Sequence, residues 1–271
     1  MASSSRFGLI AGNGRFPFLV LEAARTQGIE MVVAAIKEET FPEIEQHAKS
    51  VHWMSLGQLG KLIKTFKSEG VNQAIMAGQV KHKQIFSSII PDLKMIQLLA
   101  SLATKNTDSL IGAVAKMLES EGIHLMDSTL FLRPLLPDPG VLTRRAPSEE
   151  EKRDLDYGYK IARELGRLDL GQSVAVADGA CIALEAMEGT DAVIERAAAL
   201  ANGRMLRVVK LAKPNQDLRF DVPVIGLSTV KLMVRLKVSA LAIEARKTLM
   251  IDREDLVREA DAAGIAIVAV E

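Results

Sequence analysis

A single cysteine, Cys181, is all that the chain of 271 residues offers in thiol chemistry. It excludes an internal disulfide and any cysteine-cluster metal site, and it suits a reducing cytosol. Set in an apolar run, Cys181 reads as a core residue rather than a nucleophile. Net charge is equally scarce, since Lys plus Arg and Asp plus Glu both total 34. No global field points to nucleic acid or to a strongly anionic membrane surface, so any phosphate recognition has to be local. Long apolar runs are missing as well. The richest, 93–103, carries Lys94 and Gln97 and falls short of the roughly 20 residues that a spanning helix needs. Residues 1–6 lack the apolar core of a signal peptide, and no secretion is expected. His47, His52, His82 and His124 show no metal-ligand spacing.

What is present is alternation. Apolar runs at 7–11, 31–36 and 73–77, with a short one at 52–55, read as strands, and amphipathic stretches to about 27 and over 59–69 read as helices. The pattern predicts a parallel sheet with helical crossovers, a Rossmann-like N-terminal domain over 1–133. After the first strand stands Gly12-Asn13-Gly14, where a tight turn lets backbone approach a ligand and the following helix offers free N–H groups to a phosphate. Pro17 occupies the place of the third glycine of the dinucleotide fingerprint, which disfavours a nicotinamide oxidoreductase. Gly78 and Gln79 fall at the carboxyl end of another strand, where open α/β sheets place ligands, and the basic group Lys81-His82-Lys83 follows. The stretch 89–103 is apolar enough to be largely buried, with part of it free to line an apolar cleft. Residues 123–132 look strand-like.

Pro134, Pro137, Pro139 and Gly140 punctuate a linker, taken as 134–147, ahead of a second α/β domain at 148–271. Ser148 with Glu151 has the capping-box spacing for a helix that Gly166 should stop. Asp178-Gly179 between two apolar runs is a hairpin signal, so this domain should hold an antiparallel pair within a mixed sheet. Thr190 or Asp191 suits the cap of the next helix, whose N-terminus also suits a phosphate. The run Val208, Val209 and Leu211 then opens into Lys213-Pro214-Asn215-Gln216-Asp217-Leu218-Arg219-Phe220-Asp221-Val222-Pro223. Two prolines disfavour helix there. Asp217 and Asp221 suit a hard cation or acid/base work, and Lys213 and Arg219 suit a phosphoryl group; surface ion pairs in a solvated turn are the plainer reading of the same residue types.

These motifs also recur together in a known family. The N-terminal Gly-Leu-Ile-Ala-Gly-Asn-Gly, Ala77-Gly78-Gln79-Val80, the run from Gly166 to Gln172, Glu188-Gly189-Thr190-Asp191 and the loop from Lys213 to Pro223 follow one another in family order. Over nearly its whole length the chain resembles the LpxI family, UDP-2,3-diacylglucosamine pyrophosphatases of lipid A biosynthesis. The resemblance implies magnesium-dependent hydrolysis of the nucleotide-sugar pyrophosphate to UMP and 2,3-diacylglucosamine 1-phosphate (lipid X), with water attacking the sugar-side phosphorus. It further implies a lipid-holding cleft between the two domains, a homodimer, and a cytoplasmic enzyme in transient contact with the inner membrane of a Gram-negative bacterium. Asp221 matches the family's catalytic acid, and Asp217 and Arg219 stand beside it in the same motif. Asp191, Asp217 and Asp221 become candidate magnesium ligands. Gly12, Asn13, Gly14, Gly78, Gln79, Gln172, Thr190, Asp191, Lys213 and Gln216 become candidate substrate contacts. Lys81-His82-Lys83 departs from the Arg-Pro more usual in the family. The competing reading from another class is a non-catalytic module that binds a nucleotide sugar or lipid and regulates another protein.

Overall fold

The structure is a computed structural model and describes residues 6–80, 91–102 and 107–271. The basic group Lys81-His82-Lys83 lies outside the described residues. The chain divides into two compact units, one of Met1–Leu132 with Leu218–Phe220, the other of Arg133–Asp217 with Asp221–Glu271. Both are α/β, as the alternation of apolar runs predicts.

In the first unit, β1 (Phe7–Ala11), β2 (Met31–Ile36), β3 (Ser50–Met54), β4 (Gln73–Ala77) and β5 (His124–Leu125) form one sheet in the order β3-β2-β1-β4-β5. Every pair is parallel. β2 is buried at all six positions, which is why its sequence runs apolar without alternation. α1 (Phe16–Thr26) packs by Val20, Leu21 and Ala24. α2 (Leu59–Ser68), α3 (Leu93–Ser101) and α4 (Thr107–Ser120) share another core: Leu62, Ile63 and Phe66, with Met95, Leu98 and Leu118, meet Val32, Ala34 and Ala74 of the sheet. One carboxylate fixes the start of two of these helices. Asp92 accepts from Met95 N on Oδ1 at 3.0 Å and from Gly60 N on Oδ2 at 2.7 Å.

Two expectations change here. Within 89–103, expected to be largely buried, Met95 and Leu98 are buried but Leu93 and Ile96 are 71% and 51% exposed. The helix rests on α2 and α4 by one side, and its sequence carries more apolar surface than that side uses. The stretch 123–132 makes strand only at His124–Leu125. Asp127 Oδ1 accepts from Thr129 N at 2.8 Å and from Thr129 Oγ1 at 2.6 Å, a side-chain turn that ends the ladder.

The second unit runs β6 (Gly140–Val141), α5 (Glu149–Arg167), β7 (Ser173–Ala177), β8 (Ala180–Leu184), α6 (Thr190–Leu200), β9 (Leu206–Lys210), β10 (Val224–Ile225), α7 (Leu227–Arg235), β11 (Val238–Glu244), β12 (Leu249–Met250), α8 (Arg253–Ala262) and β13 (Ala266–Val270). Its main sheet has the order β6-β13-β11-β9-β7-β8. β13, β11 and β9 are parallel, while β6, β7 and β8 join antiparallel. The hairpin at Asp178-Gly179 turns with φ 51° and 74°, the left-handed pair that a two-residue turn requires. On one face of the sheet Val193 and Ile194 of α6, Val230 and Met233 of α7 and Leu256 of α8 bury Val208, Leu241 and Ile267. On the other, Leu155, Ala162 and Leu165 of α5 bury Val174, Val176, Val209 and Ala242.

Ser148 and Glu151 complete the expected capping box, and Arg145 clasps Glu151 with Nη1···Oε2 2.6 Å and Nη2···Oε1 2.9 Å. Burial pushes the Glu151 carboxyl up, but the Arg145 guanidinium and the Ser148 N–H outweigh it and hold the group at about 2. α5 continues past Gly166 to Arg167, so that glycine does not stop it. The stretch 134–147, read from its prolines as a linker, is tied into the second unit. β6 pairs with β13, Arg246 N donates to Pro137 O at 2.8 Å, and Ile267 N donates to Thr143 Oγ1 at 2.9 Å.

Candidate active site

In the first unit the two glycine turns lie where β1 and β4 are neighbours although β2 and β3 come between them in sequence, the switch point at which such sheets place ligands. The turns meet each other. Asn13 N donates to Gln79 O at 2.8 Å and Gln79 N to Asn13 O at 3.1 Å, while Gly12 N donates to Ala77 O at 2.8 Å. A Cβ on Gly12 would stand 2.7 Å from Gln79 O, and one on Gly78, whose φ is 95°, would stand 2.6 Å from Asn13 O. Both glycines are therefore required by the backbone crossing itself. Gly14, at φ 92°, has nothing within 4 Å of its Cβ position. Asn13 turns its side chain inward, Nδ2 donating to Glu39 O at 3.0 Å, which ties the turn to the loop after β2. Arg219 belongs to this unit through its chain neighbours: Ser128 N donates to Leu218 O at 2.9 Å and Ser128 Oγ to Arg219 O at 2.7 Å, and Phe220 packs on the core of α2 and α4. An open cavity of about 420 Å³ is lined by Arg219 with Ala115, Lys116, Glu119 and Ser120 of α4.

In the second unit the polar residues gather where β9 ends. β9 is buried at every position and finishes in Lys210, paired in register with Ser173 of β7. Lys210 Nζ donates to Thr190 Oγ1 at 3.0 Å and to Val224 O at 2.8 Å. Thr190 Oγ1 also lies 2.9 Å from Ser173 Oγ. Burial pushes the Lys210 ammonium down, and the charges of Glu185, Asp191 and Asp221 oppose that shift. Thr229 of α7 donates its Oγ1–H to Asp191 Oδ1 at 2.8 Å. Thr190 and Asp191 are thus turned to Lys210 and Thr229, and the helix cap is Gly189 at φ 86°. Glu188 holds that turn shut, accepting from Ala186 N at 2.8 Å and pairing with Arg196.

The loop after β9 adds the rest. Lys213 N donates to Gln216 Oε1 at 2.8 Å, and Lys213 Nζ meets Asp169 Oδ1 at 2.6 Å. Asp221 N donates to Asp217 O at 2.9 Å, closing a turn that brings the two aspartates into sequence register one helical turn apart. Gln172 gives its backbone to both neighbours, N donating to Glu185 Oε2 at 3.2 Å and O accepting from Leu211 N at 2.9 Å. Two side-chain atoms of this set, Gln172 Oε1 and Gln216 Nε2, are buried without a hydrogen-bond partner among the described residues. Such atoms are uncommon in native proteins, and a ligand is one of the ordinary reasons for them. Cys181 stands apart. Burial pushes its thiol up, the reverse of an activated nucleophile.

Of the residues singled out by sequence, Thr190 bonds Lys210 directly, the charges of Asp191 and Asp221 act on Lys210, and Gln172 bonds Glu185, whose charge does the same. Gly12, Asn13, Gly14, Gly78, Gln79 and Arg219 belong to the first unit. Lys210, Glu185, Ser173 and Thr229 were missed. The available signal was a lysine and a glutamate each ending an apolar strand run, since charged residues are rarely buried without a task.

Models of the LpxI N-terminal domain and the LpxI C-terminal domain match residues 6–135 and 138–268. A protein of Caulobacter vibrioides named UDP-2,3-diacylglucosamine pyrophosphatase LpxI is 31% identical over 276 residues, covering 98% of this chain and 98% of that one. Likeness to solved structures is slight. A phosphoribosylglycinamide synthetase from Anaerococcus prevotii aligns at TM-score 0.28 and 13% identity over 65% of this chain and 32% of that one. The biotin carboxylase subunit of a pyruvate carboxylase aligns at 0.26 and 15% over 63% and 34%. The chain spans about a third of the length of those two structures, and nothing about its chemistry follows from them. Two domain matches in order and a relative matched nearly end to end establish that the chain belongs to the LpxI family.

Proposed function

We propose that this chain hydrolyses the pyrophosphate of UDP-2,3-diacylglucosamine, releasing UMP and 2,3-diacylglucosamine 1-phosphate in lipid A biosynthesis, with magnesium as cofactor. The observation that carries the reading is the buried Lys210 bonded to Thr190 at the N-terminus of α6, with the charges of Glu185, Asp191 and Asp221 acting on it. Family membership and the name of the Caulobacter vibrioides relative support the substrate.

The donor set suits magnesium. That cation keeps several waters and takes one or two carboxylates together with phosphate oxygens. Asp191 and Asp221 are hard oxygen donors acting on one ammonium, and Asp217 follows through its backbone bond to Asp221. Among the described residues no group of three or more His, Cys, Asp or Glu is gathered to hold an ion. Asp191 and Asp221, with Asp217 beside them, would hold the ion. When bound it supplies charge neutralisation on the phosphoryl oxygens and a more acidic water.

The chain's own groups then have separable tasks. The Thr190 hydroxyl and the first N–H groups of α6 donate to phosphoryl oxygens. Gln216 Nε2 adds a further donor and Gln172 Oε1 an acceptor for a sugar hydroxyl. Lys213 and Arg219 contribute positive charge. Asp221 orients the attacking water at the sugar-side phosphorus and takes its proton. In the first unit, Gly12, Asn13, Gly14, Gly78 and Gln79 are the proposed substrate contacts at the switch point of the sheet. Leu93 and Ile96 of α3 offer exposed apolar surface to acyl chains, each buried methylene contributing roughly 0.8 kcal/mol. No helix among the described residues is long and apolar enough to cross a membrane. A cytoplasmic homodimer that visits the inner membrane surface belongs to the same reading.

The test is UMP release from UDP-2,3-diacylglucosamine, with magnesium and with chelator, by the unsubstituted protein and by Asp221→Ala. Metal-dependent release that the substitution abolishes, with substrate binding kept, is expected. Unchanged turnover in folded Asp221→Ala removes its catalytic role. No release by the folded unsubstituted protein returns the reading to a nucleotide-sugar or lipid-binding regulatory module.

A further inference from the structure

Lys210 is a buried charge of the second unit that calls for an explanation. It ends a strand whose five residues are all buried, where an apolar side chain would cost nothing to desolvate. Its ammonium has donors only, so in the 3.0 Å contact with Thr190 Oγ1 the threonine accepts. With Lys210 donating, and Ser173 Oγ 2.9 Å away able to donate to the same oxygen, the Thr190 hydroxyl proton can turn to a ligand at the first residue of α6, where the unpaired N–H groups also point. A second bond, to Val224 O at 2.8 Å, anchors the ammonium to the strand that follows Asp221 by three residues. Glu185, Asp191 and Asp221 act on the same charge. Like charges on neighbouring carboxylates repel, and the buried ammonium of Lys210 is a positive charge on which all three act. Thr229 fixes Asp191 from the other side, on Oδ1.

We propose that Lys210 is a positioning residue for the pyrophosphatase reaction: its buried ammonium gathers Asp191 and Asp221 at the start of α6 and fixes the Thr190 hydroxyl as a donor to the phosphoryl oxygens. The inference rests on the function proposed above. Lys210 touches no substrate in this role. It sets where the reacting groups stand, so its loss lowers the rate of the bound complex more than it weakens binding.

The experiment measures UMP release, kcat and KM separately, with thermal unfolding by circular dichroism, for the unsubstituted protein, Lys210→Met and Lys210→Met/Glu185→Gln. Methionine keeps the stem and removes the charge. The double variant also removes the buried negative charge of Glu185, which the ammonium otherwise offsets, while a glutamine oxygen can still accept from Gln172 N, and so restores folding where the single one loses it. The expected result is a kcat lower by about 100-fold or more with KM within about threefold, in the single variant if folded and in the double variant at recovered stability. If Lys210 serves folding alone, turnover returns with stability in the double variant, and that result overturns the inference. So does a folded Lys210→Met with kcat within about threefold of the unsubstituted protein. Absence of UMP release from the unsubstituted protein is a different outcome: it overturns the pyrophosphatase reading, and the role of Lys210 within it falls with it.

Discussion

Substituting Gly78 by alanine should unfold the first unit far more easily than a glycine substitution usually does. The new Cβ would stand 2.6 Å from Asn13 O, 2.7 Å from Gly12 C and 3.0 Å from Asn13 N, all backbone atoms that cannot rotate away. To make room the two turns must part, which breaks Asn13 N–H to Gln79 O and Gln79 N–H to Asn13 O. Each such bond is worth about 1 kcal/mol net. Holding an L-residue at φ 95° adds about 1–2 kcal/mol. Reduced freedom of the unfolded chain returns about 0.4–1 kcal/mol. The sum is a loss of about 3 kcal/mol. Gly70 is the control, since at φ 71° it has a similar backbone but nothing within 4 Å of its Cβ position. Gly70→Ala should cost only about 1 kcal/mol. Trp53, the single tryptophan, lies in β3 of the same sheet, so its fluorescence during urea unfolding reads this unit directly. With a slope of about 2 kcal/mol/M, Gly78→Ala should lower the midpoint by about 1.5 M and Gly70→Ala by about 0.5 M. Equal midpoints for the two variants would refute the argument, because the close approach would then be absorbed at no cost.

Two further outcomes follow from buried charge in the second unit. Arg207 is buried with Asp154, Nη1 to Oδ2 3.2 Å, and Asp154 Oδ1 accepts from Gly179 N at 2.7 Å in the hairpin turn; Arg207→Met should cost about 3–5 kcal/mol in denaturant unfolding, and adding Asp154→Asn should recover part of it. A double variant no more stable than the single one would count against an unpaired carboxylate as the cause. Glu151→Gln should cost about 1–2 kcal/mol at pH 7. Because the folded Glu151 carboxyl sits at about 2, below its ordinary 4.5, the charged form is the one that folding favours. Its contribution is present above pH 4.5 and is lost as pH falls toward 2, so the stability gap between the two proteins should close over that window. A gap that stays constant from pH 6 to about 2 would show that Arg145 is not acting on a carboxylate.

How far the residues alone reveal this protein depends on where the information is local. Ser148 with Glu151 and Asp178-Gly179 each specify a short-range geometry, a helix start and a two-residue turn, and both stand where the spacing puts them. Asp191 and Asp221 stood out as candidates because their motifs are short and polar. Lys210, on which both charges act, did not. Lys210 sits between Val209 and Leu211 in a run that reads as core, and its tie to Ser173, Thr190 and Val224 exists only once β7, α6 and β10 are folded around β9. Gly12 and Gly78 say less for the related reason that a glycine placed for ligand access and one placed for a backbone crossing look the same in sequence. The prolines of 134–147 suggested a linker, yet the backbone N–H groups of Arg246 and Ile267 that hold this stretch are more than a hundred residues away.

The strand order of the second unit also bears on how the protein is made. β13 is the latest strand in the sequence but lies inside the sheet, between β6 and β11, so the element synthesised first in this unit finds its neighbour only when the last has left the ribosome. Until residues 266–270 are translated, β11 presents an open edge and the apolar surfaces of α8 and of Leu241 and Ile243 lack part of their cover. The nascent second unit therefore spends nearly its whole synthesis as an incomplete sheet, the state in which strand edges and apolar faces recruit chaperones or one another. Removal of the last strand should accordingly show itself in the cell as aggregation during translation, ahead of any measurable loss of chemistry.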